Sequence, residues 1–150
     1  MAGTYSNLNF HVIFSTKNRD AMITPELEHE LYPYIAGIIK GEGAILLKIG
    51  GTENHVHLVT RLKPTHVIPD VLKKIKANSS KWINDHQKIN GRFSWQVGYG
   101  IFSVSESQLP NTIKYVGDQK EHHHRMTFKE EFIRLLEKNG IDYDLKYLWD

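Results

Sequence analysis

The chain has 150 residues, 40% hydrophobic and 24% charged, with a formal net charge of +2 and no cysteine. That balance suits one globular domain with its own core, and it excludes disulfides, thiolate metal sites and a cysteine nucleophile. A charge so near zero means that any nucleic-acid binding must rest on local basic patches.

The first seven residues, Met1 to Asn7, carry no basic-then-apolar leader pattern, and no apolar run is long enough to span a bilayer. A soluble cytoplasmic protein is the expectation. Leu8 to Ser15 is a predicted strand, with Phe10, Val12 and Phe14 on one face and His11, Ile13 and Ser15 on the other. Thr16 to Asp20 follows as a polar loop holding Lys17 and Arg19. Thr24-Pro25-Glu26 has the chemistry of a helix start, with Thr24 as N-cap, and Leu27, Leu31, Tyr34, Ile35 and Ile38 recur at helical spacing. Pro33 predicts a bend near Glu30, and Gly41 or Gly43 ends the helix.

Ala44 to Ile49 is apolar enough to be a central strand. Gly50 to Glu53 then makes a tight connection, so this strand and the next form an antiparallel hairpin. The next strand is Asn54-His55-Val56-His57-Leu58-Val59-Thr60-Arg61. Residues two apart in a strand share a face, so His55 and His57 point one way and Val56 and Leu58 point into a core. Two imidazoles on a rigid strand are pre-positioned for a divalent ion, although the same spacing also suits two solvent-facing histidines.

Pro64 or Thr65 opens a long helix running to about Asn90, with an apolar stripe of Val67, Ile68, Val71, Leu72, Ile75, Trp82 and Ile83. Lys73, Lys74, Lys76 and Lys81 lie mostly off that stripe. Phe93 to Val104 is predicted as a bent fourth strand, in which Trp95 and Tyr99 are core residues or base-stacking surfaces. A helix follows, starting after Ser105 or Ser107, with Pro110 tolerable if Ser107 is the N-cap, and the His122-His123-His124 run is read as its solvated end. Thr127 to Glu130 is a capping box, opening a helix whose apolar face is Phe128, Phe132, Leu135 and Leu136. The tail from Ile141 to Trp149 is too apolar to be a free end. The order β-α-β-β-α-β, then helices, gives an α+β, ferredoxin-like antiparallel sheet with helices on one face plus C-terminal helices.

Tyr115 and Gln119 stand four apart, on one helical face. A phenol is mostly protonated at neutral pH, so a nucleophilic tyrosine needs a cation nearby. A phosphodiester polarised by a metal on His55 and His57 meets that need, and the Gln119 amide oxygen suits a hard divalent ion. Packing is the ordinary role of a helical tyrosine.

Four separated blocks, in order, resemble the single-tyrosine HUH transposases, the TnpA-type enzymes of the smallest bacterial insertion sequences. They are His11 to Arg19, Asn54 to Val59, Gly98 to Ser107 and Tyr115 to His123; the ending Tyr143 to Asp150 is similar too. The resemblance implies one HUH-type domain over 1–150, with Tyr115 as nucleophile and His55, His57 and Gln119 as ligands of Mg²⁺ or Mn²⁺. It also implies a homodimer whose tyrosine helices can complete each other's sites. The implied activity is cutting and rejoining single-stranded DNA through a 5′-phosphotyrosine at elements that carry hairpins. Lys17, Arg19, Lys73, Lys74, Lys76 and Lys81 are the candidate DNA contacts. Two other readings fit the same residues: a hairpin-binding relative without catalysis, and a metal phosphoesterase that uses water.

Overall fold

A computed structural model describes residues 3–149; Met1, Ala2 and Asp150, the last of these in the tail motif, lie outside the described residues. Strand β1 (Leu8–Ser15) leads into helix α1 (Pro25–Gly41), the hairpin β2 (Ile45–Thr52) and β3 (His55–Leu62), helix α2 (Ile68–Asp85) and strand β4 (Gly100–Val104). Helices α3 (Leu109–Gly117), α4 (Gln119–His122) and α5 (Phe128–Lys138) follow. The four strands form one antiparallel sheet in the order β2-β3-β1-β4, the split βαβ arrangement. No helix among the described residues is long and apolar enough to cross a membrane.

Alternation along the strands decides what each sheet face covers. Val12, Phe14, Val56, Leu58 and Leu62 meet Leu27, Leu31, Ile35 and Ile39 of α1 and Val71, Leu72, Ile75 and Ile83 of α2. The opposite face presents His11, Ile13, His55, His57 and Val59, which the C-terminal helices cover. Two glycines permit that cover. A Cβ on Gly50 would lie 2.0 Å from the Val116 carbonyl oxygen, so the backbone of α3 rests directly on β2. A Cβ on Gly100 would meet Ile13 at 2.9 Å and Phe132 of α5 at 3.1 Å.

Local chemistry sets several boundaries. The Thr24 hydroxyl accepts from the Leu27 N–H, Pro25 sits in the first turn, and α1 runs as a single helix through Pro33. Thr127 and Glu130 complete the capping box of α5. Tyr143, Leu148 and Trp149 pack back onto Phe128 and its neighbours, so the tail docks as its apolar content requires.

Other boundaries differ from expectation. β2 is an edge strand, not a central one, and Gly50, Gly51 and Thr52 belong to its ladder rather than to the turn. Its apolar residues serve α1 on one side and α3 on the other. α2 starts at Ile68, not at Pro64 or Thr65, because Pro69 lacks an N–H and fits only the first turn; it ends at Asp85, not near Asn90. The fourth strand is only Gly100–Val104. Before it, Trp95 makes one isolated bridge to Thr16. The Asn84 side chain holds the Phe93 N–H and carbonyl, and the Trp95 indole donates to Ser79 of α2, so these aromatics are buried by α2 rather than by the sheet. Trp95 is a core residue. A single 3-10 turn, Glu106–Gln108, starts after Ser105, one of the two expected starts, and α3 continues from it at Leu109 with no side-chain cap from Ser107. It stops at Gly117, where a Cβ would press on the Lys48 side chain at 3.0 Å.

Candidate active site

His55 and His57 project from β3 onto the face under the C-terminal helices, and both are fully buried. Their Nδ1 atoms are already engaged. His55 Nδ1 lies 2.8 Å from Asn54 Oδ1 and 3.0 Å from Thr52 Oγ1. The Asn54 amide nitrogen donates to the Arg19 carbonyl, which orients that oxygen toward the ring. His57 Nδ1 lies 2.7 Å from His11 Nε2, and the two rings stack with centroids 5.0 Å apart. His11 thus sets the orientation of His57. Such outer partners fix the tautomer of a ligating histidine and free its Nε2 for a metal.

Both Nε2 atoms face one place. Gln119 Oε1 is 3.1 Å from His55 Nε2, while the Gln119 amide nitrogen donates to the Tyr115 carbonyl. The helix breaks between Tyr115 and Gln119, at Gly117 and Asp118, yet both side chains still reach the site. The Tyr115 ring sits 5.8 Å from His57 and 6.0 Å from His11, within a single chain.

Two further residues complete the group. Glu131 on α5 is fully buried, with Oε1 at 3.0 Å from His57 Nε2, 3.3 Å from His55 Nε2 and 2.9 Å from His123 Nε2. Its other oxygen, Oε2, accepts the Tyr115 hydroxyl. His123, read from the sequence as part of a solvated helix end, is instead a member of this cluster. The turn after α4 turns it inward, with its backbone N–H donating to the Gln119 carbonyl. Glu131 carried a signal in the sequence: it falls on the apolar stripe Phe128, Phe132, Leu135, three residues after Phe128, where a charged residue needs a buried partner.

Burial works to raise the Glu131 carboxyl, but hydrogen bonds with His123, His55 and His57 together outweigh it and hold the group well below the usual range. Burial pushes His57 down to about 4 despite the opposing pull of Glu131. Burial, then the neighbouring His57, pushes His11 down to about 3. Burial, then the Glu131 charge, raises the Tyr115 phenol above its ordinary value. The tyrosine therefore holds its proton at rest, against a carboxylate.

One nitrogen from each of His55, His57 and His123 and one oxygen of Glu131 lie within 4.8 Å of one another, a His₃–Glu group that can hold a metal ion. The donor set supports that fit. With His55 Nδ1 donating to Asn54, its Nε2 confronts two oxygen acceptors, Gln119 Oε1 and Glu131 Oε1. Acceptors gathered this way need a proton or a metal cation among them.

The candidate DNA contacts do not form one patch. Lys73, Lys76 and Lys81 of α2, with Arg92, Trp95 and Tyr99, line a groove of about 590 Å³. Lys74 points away to an ion pair with Glu42 at 2.8 Å. Lys17 is exposed, and Arg19 lies over the Trp149 ring at 5.3 Å.

Residues 4–119 match the family described as transposase, IS200 like. The chain is similar to the ISDra2 transposase TnpA of Deinococcus radiodurans, with 26% identity over 124 residues, covering 79% of this chain and 89% of that one. It is similar to a crystal structure described as a transposase from Deinococcus radiodurans, with a TM-score of 0.64 and 27% identity, covering 78% and 96% of the two chains. It also shares the fold of a REP-associated tyrosine transposase bound to a REP hairpin, with a TM-score of 0.62 over 97% and 92% of the two chains at 12% identity.

Proposed function

The chain belongs to the IS200-like transposase family, and from that premise we propose that it cuts and rejoins single-stranded DNA through a covalent link to Tyr115. The observation that carries this reading is the Tyr115 hydroxyl bonded to Glu131 beside His55 and His57. A candidate nucleophile, a carboxylate that accepts its hydrogen bond and a candidate cation site occupy one place.

Tyr115 Oη attacks phosphorus, and the bond from phosphorus to the 3′ oxygen breaks. The tyrosine keeps the 5′-phosphate and a 3′-OH strand leaves. The phenol proton, donated at rest to Glu131 Oε2, ends on the departing 3′ oxygen; Glu131, held well below the usual carboxyl range, orients the phenol and does not keep that proton. His55, His57 and Gln119 would hold a divalent ion, for which the sequence resemblance implied Mg²⁺ or Mn²⁺. When bound, the ion supplies charge stabilisation to the phosphate oxygens. His11, Asn54 and Thr52 keep the two imidazoles aimed. The phosphotyrosine conserves the bond energy, so a second 3′-OH reverses the step and joins strands without a nucleotide cofactor.

Hairpin DNA, the ligand of one structural neighbour, is the substrate we assign to this chain. The groove beside Lys73, Lys76, Lys81 and Arg92 is its docking surface, with phosphate contacts supplying affinity. Tyr115 stands at the histidines of its own chain, so a homodimer would carry two sites that need no exchange of helices. Cytoplasmic DNA is the setting this substrate implies.

The test is a denaturing gel with end-labelled single-stranded hairpin DNA and a divalent ion, with Tyr115→Phe alongside. The expected result is a metal-dependent protein–DNA adduct on the 5′-phosphate side that survives denaturation and falls by roughly three orders of magnitude or more in the variant. Native-gel retention without any adduct would leave only hairpin binding. Cleavage unchanged by Tyr115→Phe would make water the nucleophile and the protein a metal phosphoesterase.

A further inference from the structure

We propose that His123 and Glu131 join His55 and His57 as metal ligands, and that the resulting nitrogen-rich shell selects a first-row transition ion over Mg²⁺. This deepens the reading above and rests on a metal site at the paired histidines.

Geometry comes first. Glu131 Oε1 stands 2.9 to 3.3 Å from three imidazole Nε2 atoms. In a tetrahedral shell with bonds of about 2.1 Å, neighbouring donors are about 3.4 Å apart. The side chains are thus already at coordination spacing, and slight relaxation of the carboxylate makes room for an ion.

The backbone supports this spacing. His123 is held by its N–H bond to the Gln119 carbonyl, and its ring lies 4.4 Å from that of His55. Glu131 sits one turn into α5, a helix fixed by its capping box and by Phe128, Phe132, Leu135 and Leu136 beneath it. A carboxylate on that apolar stripe has no packing role that a leucine would not fill better. Its burial makes sense where a cation compensates it. Both residues also lie beyond residues 4–119, the stretch that matches the family.

The choice of ion follows from the donors. Mg²⁺ favours oxygen ligands, demands a near-octahedral shell and gives up its waters reluctantly. Three imidazoles on one ion are poor company for it. Imidazole suits zinc, cobalt, iron and nickel, and affinity rises along the first row from Mn²⁺ toward Cu²⁺. The Gln119 oxygen leaves room for a fifth ligand without changing that preference.

The test is a titration of the chelator-stripped full chain with Co²⁺, followed by its visible absorption, and then competition by Zn²⁺, Mn²⁺ and Mg²⁺. The expected result is one Co²⁺ per chain, displaced readily by Zn²⁺, weakly by Mn²⁺ and not by a large excess of Mg²⁺. His123→Ala and Glu131→Gln should each weaken Co²⁺ binding by at least about tenfold. Thermal melts of the metal-free variants separate lost ligation from lost folding, and His123→Gln is a second, gentler probe. Unchanged Co²⁺ affinity in both variants, or displacement by equimolar Mg²⁺, would overturn the proposal. Adduct assays run alongside separate the two readings. An adduct without Co²⁺ selectivity retains strand transfer and sinks this shell, whereas selective Co²⁺ binding with no adduct under any ion does the reverse.

Discussion

The two faces of the sheet are made from the same strands and do opposite things. On β3, Val56 and Leu58 are buried among aliphatic side chains of α1 and α2, while His55 and His57, one residue over, are buried among polar atoms. On β1 the same alternation sets Val12 and Phe14 against His11. The first face is held by apolar area, which is non-directional and tolerant of exchange. The second joins smaller apolar clusters, Ile13 with Phe102 and Phe132 and Val59 with Leu109 and Val116, to a directional hydrogen-bonded layer centred on Glu131. Among the described residues no buried side-chain nitrogen or oxygen lacks a bond, which is how a polar layer this deep remains affordable. The larger apolar core lies on one side of the sheet and the histidine–glutamate group on the other.

Phe14→Ala breaks the first face. Phe14 is fully buried and meets Trp95 edge-on with ring centroids 4.9 Å apart. Its truncation should cost about 3–5 kcal/mol and lower Tm by the order of 10 °C. Adduct formation per folded molecule should stay close to wild type, as checked by pairing a thermal melt with the gel assay well below Tm. A variant that folds well but forms no adduct would show that the faces are not separable.

Gly50→Ala tests the opposite side with a smaller cost to the fold. Its Cβ collides with the Val116 carbonyl at 2.0 Å, so α3 must lift and carry Tyr115 with it. Overpacking of this kind costs about 1–3 kcal/mol, while a displacement near 1 Å at a reacting centre costs roughly a hundredfold in rate. Single-turnover kinetics should therefore fall further than the melting temperature implies. An equal loss in both would mean that the helix merely packs.

Patterns with a local cause were legible in the sequence. Period-2 alternation placed His55 and His57 on one face and Val56 and Leu58 on the other, and the Thr24-Pro25 and Thr127–Glu130 signals located two helix starts. Readings that depended on distant partners were not. The run from Ala44 to Ile49 looked central, but it forms the sheet edge, where helices cover Leu46, Leu47 and Ile49 only in part and Ile45 is 51% exposed. Phe93 and Trp95 looked like strand residues, yet their burial comes from α2, through Asn84 and Ser79. His123 looked solvated because nothing local indicates that the chain turns it toward β3. Glu131 was visible in principle, as a charge on an apolar stripe, but two of its partners, His57 and His55, lie 74 and 76 residues earlier in the chain.

The smallest effect expected lies between the faces, at Lys76. Its Nζ lies 5.4 Å from the centroid of the Phe14 ring and donates to the carbonyls of Val97 and Gly98 at 3.1 and 2.9 Å. Burial brings its pKa down to about 8. The group therefore sheds its proton, and the groove loses a positive charge, as pH rises from 7 to 9. Hairpin retention should weaken across that range by about two- to threefold, with the salt dependence shallower by about one unit. Stability moves the other way. Between pH 8 and the ordinary lysine value the unfolded chain binds more protons at this position than the folded one, so the contribution of Lys76 to stability rises with pH. Lys76→Arg keeps the charge at every pH in the range and should remove the pH dependence of retention. A binding curve that stays flat from pH 7 to 9 in the wild type would remove Lys76 from the DNA surface and leave it as a support for the aromatic core beneath it.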